Sequence, residues 1–204
     1  MTPILSTQDL VLRKGDAPET FDIGRGLTLL NTRRESDSTL LSLALAGRFN
    51  PHSGTILLDG EETATRQRFK DVALAGVTEI DSLERLVRIR DVVREQIAWS
   101  QGFFARTPRT SEAIKSHPHV EKWLEPLQLT DIDLMAQVGD IGPTDRFRLR
   151  VLLALISRPD AKLLVVDDVD QVRKMDIRRT LLDDLRGVAV HLPVMVNTVN
   201  EEGL

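Results

Sequence analysis

The feature that most constrains this chain is an apolar strand that passes through a short polar loop directly into an apolar helix. Residues 27–30 supply the strand, and Ser38 and Thr39 open a helix over 39–46, with Gly47 at its natural stop. The same vocabulary returns near the C-terminus. A helix over 146–156 precedes a strand over 162–166, and a helix over 177–185 precedes a last strand over 194–198. Strands alternating with helices imply an α/β fold on a mostly parallel sheet. Ahead of and after the first helix the chain is strand-rich. Residues 8–13 alternate weakly, and 54–61 read as a strand closed by the turn Asp59-Gly60. Residues from about 83 to 145 are helical and charged. Leu83, Leu86, Val87, Val93 and Ile97 recur at near-helical spacing, and 120–129 continue the pattern. One domain over 1–204 with an inserted helical sub-lobe at about 83–145 accounts for all of this, and no internal repeat is visible.

Composition narrows the function classes. The chain has 204 residues, 41% hydrophobic and 28% charged, the balance of an ordinary globular domain. A net charge of −4 argues against nucleic acid as a partner. The absence of cysteine fits a reducing compartment. The first ten residues, MTPILSTQDL, have neither the basic nor the apolar region of a secretion signal, and the apolar run 151–156 is far short of a membrane span.

The strand-to-helix turn has the shape of a phosphate-binding loop, whose pattern is G-x-x-x-x-G-K-[ST]. Here Asn31 stands at the first glycine, Ser36 at the second, Asp37 at the lysine and Ser38 at the hydroxyl, followed by Thr39. Such a loop turns backbone N–H groups inward and neutralises phosphate oxygens with its lysine. Asn31 and Ser36 carry Cβ atoms where the tight cradle wants none, and Asp37 puts a carboxylate where the triphosphate would lie. Two unit charges about 4 Å apart interact by roughly 4 kcal/mol at an effective dielectric of about 20, and exchanging attraction for repulsion approaches twice that. A micromolar site holds only about 8 kcal/mol in total. Arg33 and Arg34 recover part of the loss, though Glu35 sits beside them. The opposing structural reading makes Ser36 or Asp37 the cap of the following helix, an acid filling its own anion hole.

The ordered set of segments resembles the ATP-binding subunit of ABC transporters over essentially the whole chain. The stretch NPHSGTILLDG (50–60) matches the segment after that family's phosphate loop. Glu79 falls at the position of its loop glutamine, and Ile141, Gly142, Pro143, Thr144 and Asp145 (IGPTD) occupy its five-residue signature. The helix RFRLRVLLALISRPD and the strand LLVVDD follow at matching spacing. The resemblance implies a P-loop NTPase-like fold. It also implies that Asp167, with Ser38, orders magnesium if nucleotide binds, and that Asp168 takes the place of the catalytic glutamate. Asp is one methylene shorter, so a water held for attack is misplaced by about 1 Å, a loss on the order of 100-fold. The plain alternative for Asp167, Asp168 and Asp170 is the polar end of a parallel strand. Pro143 removes an amide donor from the signature and Asp145 adds a negative charge there, a change that a simple helix start also explains. Residues 170–174 depart from the family pattern, and Val199 and Asn200 follow Thr198 where the family places a histidine.

Each composite site in that family joins the phosphate loop of one subunit to the signature of its mate, and this chain is altered in both. The expectation is a degenerate ABC-type subunit with weak or no ATP hydrolysis. It would scaffold or regulate an integral membrane protein, a second ABC-type subunit or both, at the inner face of a membrane and in the cytoplasm. No cofactor is expected, and Mg-ATP binds weakly if at all. Two alternatives stand beside it: a divergent ATPase using Arg33 or Arg34 in place of the lysine, and a free-standing interaction module. Among weaker features, His117 and His119 flank Pro118 in what reads as a solvated loop rather than a metal site. Trp99, Phe103 and Phe104 read as core packing, with a partner-facing patch as the minority reading, and the arginines of 85–94 as a solvated helix face.

Overall fold

Alternation along the central strands divides the interior in two. In the computed structural model the chain is described at residues 2–32, 35–77, 83–102, 105–167 and 175–198, with only the backbone described for 35–37 and 175. The order of elements is β1 (Leu5–Val11), β2 (Glu19–Ile23), β3 (Leu27–Asn31), α1 (Glu35–Leu45), β4 (Ser53–Leu58), β5 (Glu61–Glu62), α2 (Thr65–Asp71) and β6 (Val72–Ala75). Then come α3 (Ile89–Ser100), α4 (Ser111–Lys115), α5 (Pro118–Leu124), α6 (Pro143–Ser157), β7 (Leu163–Val166), α7 (Met175–Ala189) and β8 (Val194–Thr198). An antiparallel sheet takes the order β2-β1-β4-β5, and a parallel sheet the order β3-β8-β7-β6. Because side chains alternate across a strand, Leu163 and Val165 of β7 and Met195 of β8 join one core, and Leu164, Val166, Val194 and Val196 the other. The first core gathers the antiparallel sheet and Leu41, Ala44 and Leu45 of α1. The second takes in α3, α5, α6 and α7, including Ile89, Val93, Ile97, Trp123 and Leu149. All four residues of β7 are buried, as a parallel strand covered on both faces requires.

The α/β class and the parallel order match the expectation, and several boundaries move. The helix expected at 39–46 begins at Glu35, so Ser36 and Asp37 lie inside the first turn of α1 rather than ahead of it as caps. The helix expected from Leu83 starts only at Ile89, because Arg88 bridges to Gln137 in extended conformation. The helix expected over 120–129 ends at Leu124, and Gln128 at φ 52° closes the turn that follows. Asp59 and Gly60 do form the expected turn between β4 and β5, with φ of 55° and 82°, the signs a two-residue hairpin needs.

Five elements went unread: β2, β5, β6, α4 and α2. The last hides because its buried residue is Arg68, not an apolar one. Arg68 donates to the carbonyls of Ala44 and Thr63, stitching α2 to the end of α1, and burial pulls its pKa below the ordinary value. That depression is consistent with a guanidinium held by carbonyl dipoles rather than by a carboxylate.

Gly76 couples the sheet to the functional region. It sits at φ +90° directly after β6, and a Cβ there would lie 2.1 Å from the carbonyl oxygen of Asp167. Only glycine lets these two backbones approach. Replacing Gly76 by Ala should lower unfolding free energy by at least about 2 kcal/mol, combining a left-handed residue with a backbone clash. Urea denaturation of the two proteins measures it; a change within about 0.5 kcal/mol would show that the approach is not constrained as described.

Candidate functional site

The site forms where the ends of β7 and β8 meet the start of α1. Asp167 continues the face of Leu163 and Val165, so its side chain turns toward α1. Ser38 and Ser42, four residues apart, present hydroxyls on one helical face, and Thr39 adds a third. Thr39 Oγ1 donates to Asp167 Oδ2 at 2.6 Å, and Ser42 Oγ donates to Oδ1 at 2.8 Å, with Ser38 Oγ at 3.4 Å from the same oxygen. The Asp167 amide donates to the Ala75 carbonyl at 2.8 Å. Only 1% of Asp167 is exposed. Behind this cluster Asn197, fully buried on the α1 side of β8, donates through Nδ2 to Ser42 Oγ and to the Ser38 carbonyl, both at 2.8 Å. The sequence reading missed Ser42 and Asn197. Their signal was present: a polar residue inside the apolar strand VMVNT, and a serine one turn beyond Ser38.

Of the expected site residues, the structure thus brings Ser38, Thr39 and Asp167 together. Asn31 is exposed at the end of β3, paired in parallel with Thr198, and Thr32 donates its amide to the Thr198 carbonyl. Arg33, Arg34, Glu79 and Asp168 lie outside the described residues, as do Phe103, Phe104 and segments 170–174 and 199–200, and the side chains of Ser36 and Asp37 are not described.

The signature segment is a helix start. Gly142 is the N-cap of α6 and Pro143 its first residue, where the missing amide costs nothing. Asp145 pairs with Arg148 at 3.0 Å, and Arg148 also grips Asp184 of α7 at 2.8 and 3.2 Å. Burial works to lower the pKa of Arg148, but hydrogen bonds and charge from Asp184 and Asp145 outweigh it and hold the guanidinium above its ordinary value. The acid at 145 is therefore balanced within its own turn. Ile141 and Thr144 are half-buried beside it.

Two grooves lie elsewhere. One of about 340 Å³ separates α3 from α6, with Leu74, Leu83, Val92, Leu153 and Ala154 as apolar lining and Arg48, Arg150 and Arg158 at its edges. Arg150 Nε is buried without a hydrogen-bond partner, and Arg48 and Arg158 both stack on Phe69, at 5.2 and 4.5 Å from its ring. The other, about 1000 Å³, runs between α5 and α7, carries charges of both signs and contains none of the expected site residues. Trp99, expected in the core, is 79% exposed at the end of α3.

Sequence comparison decides the family. The chain is 30% identical over 222 aligned residues to the phosphonates import ATP-binding protein PhnC 1 of Natronomonas pharaonis, spanning 98% of this chain and 88% of that protein. It belongs to the ATP-binding proteins of ABC transporters. No family profile matches it. Among solved structures it superposes on cbiO1 from Clostridium perfringens, part of the ABC transporter complex cbiONQ, with a TM-score of 0.75, 14% identity and coverage of 99% and 80% of the two chains. The ATP-binding cassette MJ1267 superposes with a TM-score of 0.72 at 12% identity, over 98% and 83%. Both oxygens of the Asp167 carboxylate accept hydroxyl protons, and solvent barely reaches them. Ser38 and Asp167, the pair that would hold magnesium beside a bound nucleotide, here bond to each other.

Replacing Asp167 by Ala should therefore destabilise the fold by about 3 kcal/mol, because the charged acceptor for the α1 hydroxyls is lost. A carboxylate kept uncompensated for a metal would give the opposite sign, since its removal relieves a buried charge. Denaturant unfolding without added cation distinguishes the two.

Proposed function

We propose that this ABC-type subunit serves as a scaffolding or regulatory partner of an integral membrane protein, at the cytoplasmic face of the membrane, with weak or no ATP hydrolysis. The observation that carries the reading is the Asp167 carboxylate closed over by Ser38, Thr39 and Ser42. Asp37 in the lysine position of the loop supports it, since like charge there opposes a polyanion by several kcal/mol, roughly 4 per unit pair. The altered signature, Pro143 and Asp145, extends the argument to the second half of a composite site in a dimer. No described helix is long and apolar enough to cross a membrane, so membrane attachment in this reading runs through the partner. The relatives' names favour such a partner: one is an import ATP-binding protein and another part of a transporter complex.

The groove between α3 and α6 suits that contact, with its apolar floor and three arginines. Charge reversal at Arg150, whose Nε is buried without a partner, should reduce the fraction of chain that co-purifies with its membrane protein severalfold while leaving the melting temperature nearly unchanged. An unchanged fraction would remove the groove from the docking surface.

The competing reading, a divergent ATPase with Arg33 or Arg34 replacing the lysine, is favoured by the ATP-binding name of the relative. Thermal unfolding in millimolar Mg-ATP separates them. A ligand at about 100 times its dissociation constant stabilises by roughly 2.7 kcal/mol. The scaffold reading expects no shift for the wild type, no phosphate release, and a gain of nucleotide affinity in Asp37→Lys without turnover. A wild-type shift of several degrees accompanied by phosphate release would replace it with the enzyme.

A further inference from the structure

The expected solvated loop at His117 and His119 is an organised junction. His117 is the N-cap of α5, and its Nδ1 accepts the backbone N–H of His119 at 3.3 Å. A neutral imidazole whose Nδ1 accepts carries its proton on Nε2. That Nε2 faces the side-chain amide of Gln101, one residue past the end of α3. Nε2–H is then a donor and must meet an oxygen. Turning the Gln101 amide by 180° supplies Oε1, a buried atom that otherwise has no partner. One proton position thus satisfies the cap, the ring and the amide together.

The neighbouring ring behaves differently. Ser100 Oγ spends its proton on the Ile97 carbonyl at 3.0 Å, so toward His119 Nδ1, 3.3 Å away, it accepts. His119 therefore carries Nδ1–H and keeps that bond on protonation. His117 does not: a proton added at Nδ1 points at the His119 N–H and destroys the cap. The rings stand edge to face with centroids 4.9 Å apart, so charging one opposes charging the other. With three of the four ring nitrogens engaged in these contacts, the pair is not arranged to chelate a metal.

We propose that His117, its ring held by Gln101, forms an acid-sensitive latch on the first turn of α5, closed at neutral pH by the His119 amide bonding to Nδ1 and opened on acidification while the Gln101 and Ser100 bonds persist. The groups around it leave the His117 charge uncompensated. Its ring meets the uncharged Gln101 just past α3, Ser100 of α3 contacts His119, and the His117 amide donates to the Ile114 carbonyl of α4. Glu112 and Lys115 of α4 and Glu121 and Lys122 of α5 make no ion pair with either ring; Lys115 reaches the Thr130 carbonyl and Lys122 that of Pro159. Burial first, and the charge of His119 second, push the pKa of His117 below its ordinary value. Its folded value lies below that of the unfolded chain, so stability from the latch is complete above the unfolded pKa of about 6.5 and is lost as pH falls below it. This inference is independent of whether nucleotide binds.

The test is a histidine NMR titration of the intact chain, with the His119 amide as a second reporter, beside urea unfolding of wild type and His117→Asn at pH 7.5 and 5.5. Asn caps helices without titrating. His117 should titrate below pH 6.5, the His119 amide should follow the same curve, and the folding constant should fall by up to about tenfold more in wild type than in the variant. If His117→Asn does not fold, the wild-type titration decides alone. A His117 that titrates at or above pH 6.5, an amide that ignores it, or a variant with the full wild-type pH dependence would overturn the latch.

Discussion

Much of this molecule hangs on one buried carboxylate. Asp167 leaves β7 at the point where β6 ends in Gly76, and its oxygens take hydroxyl protons from two successive turns of α1. Withdrawing a carboxylate from water costs several kcal/mol even after relaxation, whereas each hydrogen bond to a charged group returns about 1.5–3. Beyond stability, the effect of the cluster is registration: it sets the rotation of α1 over the parallel sheet. Asn197 reinforces this from the adjacent strand by holding Ser42 and the Ser38 carbonyl.

That registration explains how two cores share one sheet. Leu41 and Leu45 lie on the same side of α1 as Ser38 and Ser42, so fixing the hydroxyls against Asp167 also fixes the leucines over Val165 and Met195. A fully buried Leu contributes about 1.5–3 kcal/mol, so the apolar part of this face outweighs the polar end, while the polar end selects which apolar arrangement is adopted. On the opposite face the second core needs no such device. Val166 and Leu164 meet α6, whose residues from Val151 to Ile156 are all buried, and the charged contact there, Arg148 with Asp145 and Asp184, lies at the rim.

The legible part of the sequence was whatever depended on apolar period. The strand 194–198 was readable to the residue because five buried positions in a row admit little else, and the order of helices and strands around the parallel sheet followed from the same signal. What escaped was local and polar. α2 is TRQRFKD, an amphipathic segment whose inward residue is an arginine, and no apolar count finds it. α3 lost its expected first turn because Arg88 prefers an extended bridge to Gln137, a tertiary pairing invisible to helical spacing. At the site, Ser38, Thr39 and Asp167 were legible from motif spacing, whereas Ser42 and Asn197 fall outside any motif and become meaningful only once β8 is known to lie beside β7. The histidine junction was misread for a related reason: a cap and a side-chain amide sixteen residues away along the chain are neighbours only after α3 and α5 pack.

The polar network also bears on why a fold of this family can persist without its usual ligand, on the reading proposed above. A loop built to hold a triphosphate concentrates inward N–H groups and a helix N-terminus, and without an anion those dipoles face each other uncompensated. An acid in the first turn of α1 supplies negative charge from within the chain, and glycines are no longer needed where no oxygen must approach the backbone. Hydroxyls on the next turn then close over the buried Asp167 carboxylate. The acid adds an anion where the ligand's was, while hydroxyls of α1 donate to the existing one. Restoring only the lysine would therefore reopen the loop electrostatically while leaving Asp167 closed, which is why nucleotide affinity and turnover are expected to separate in this chain.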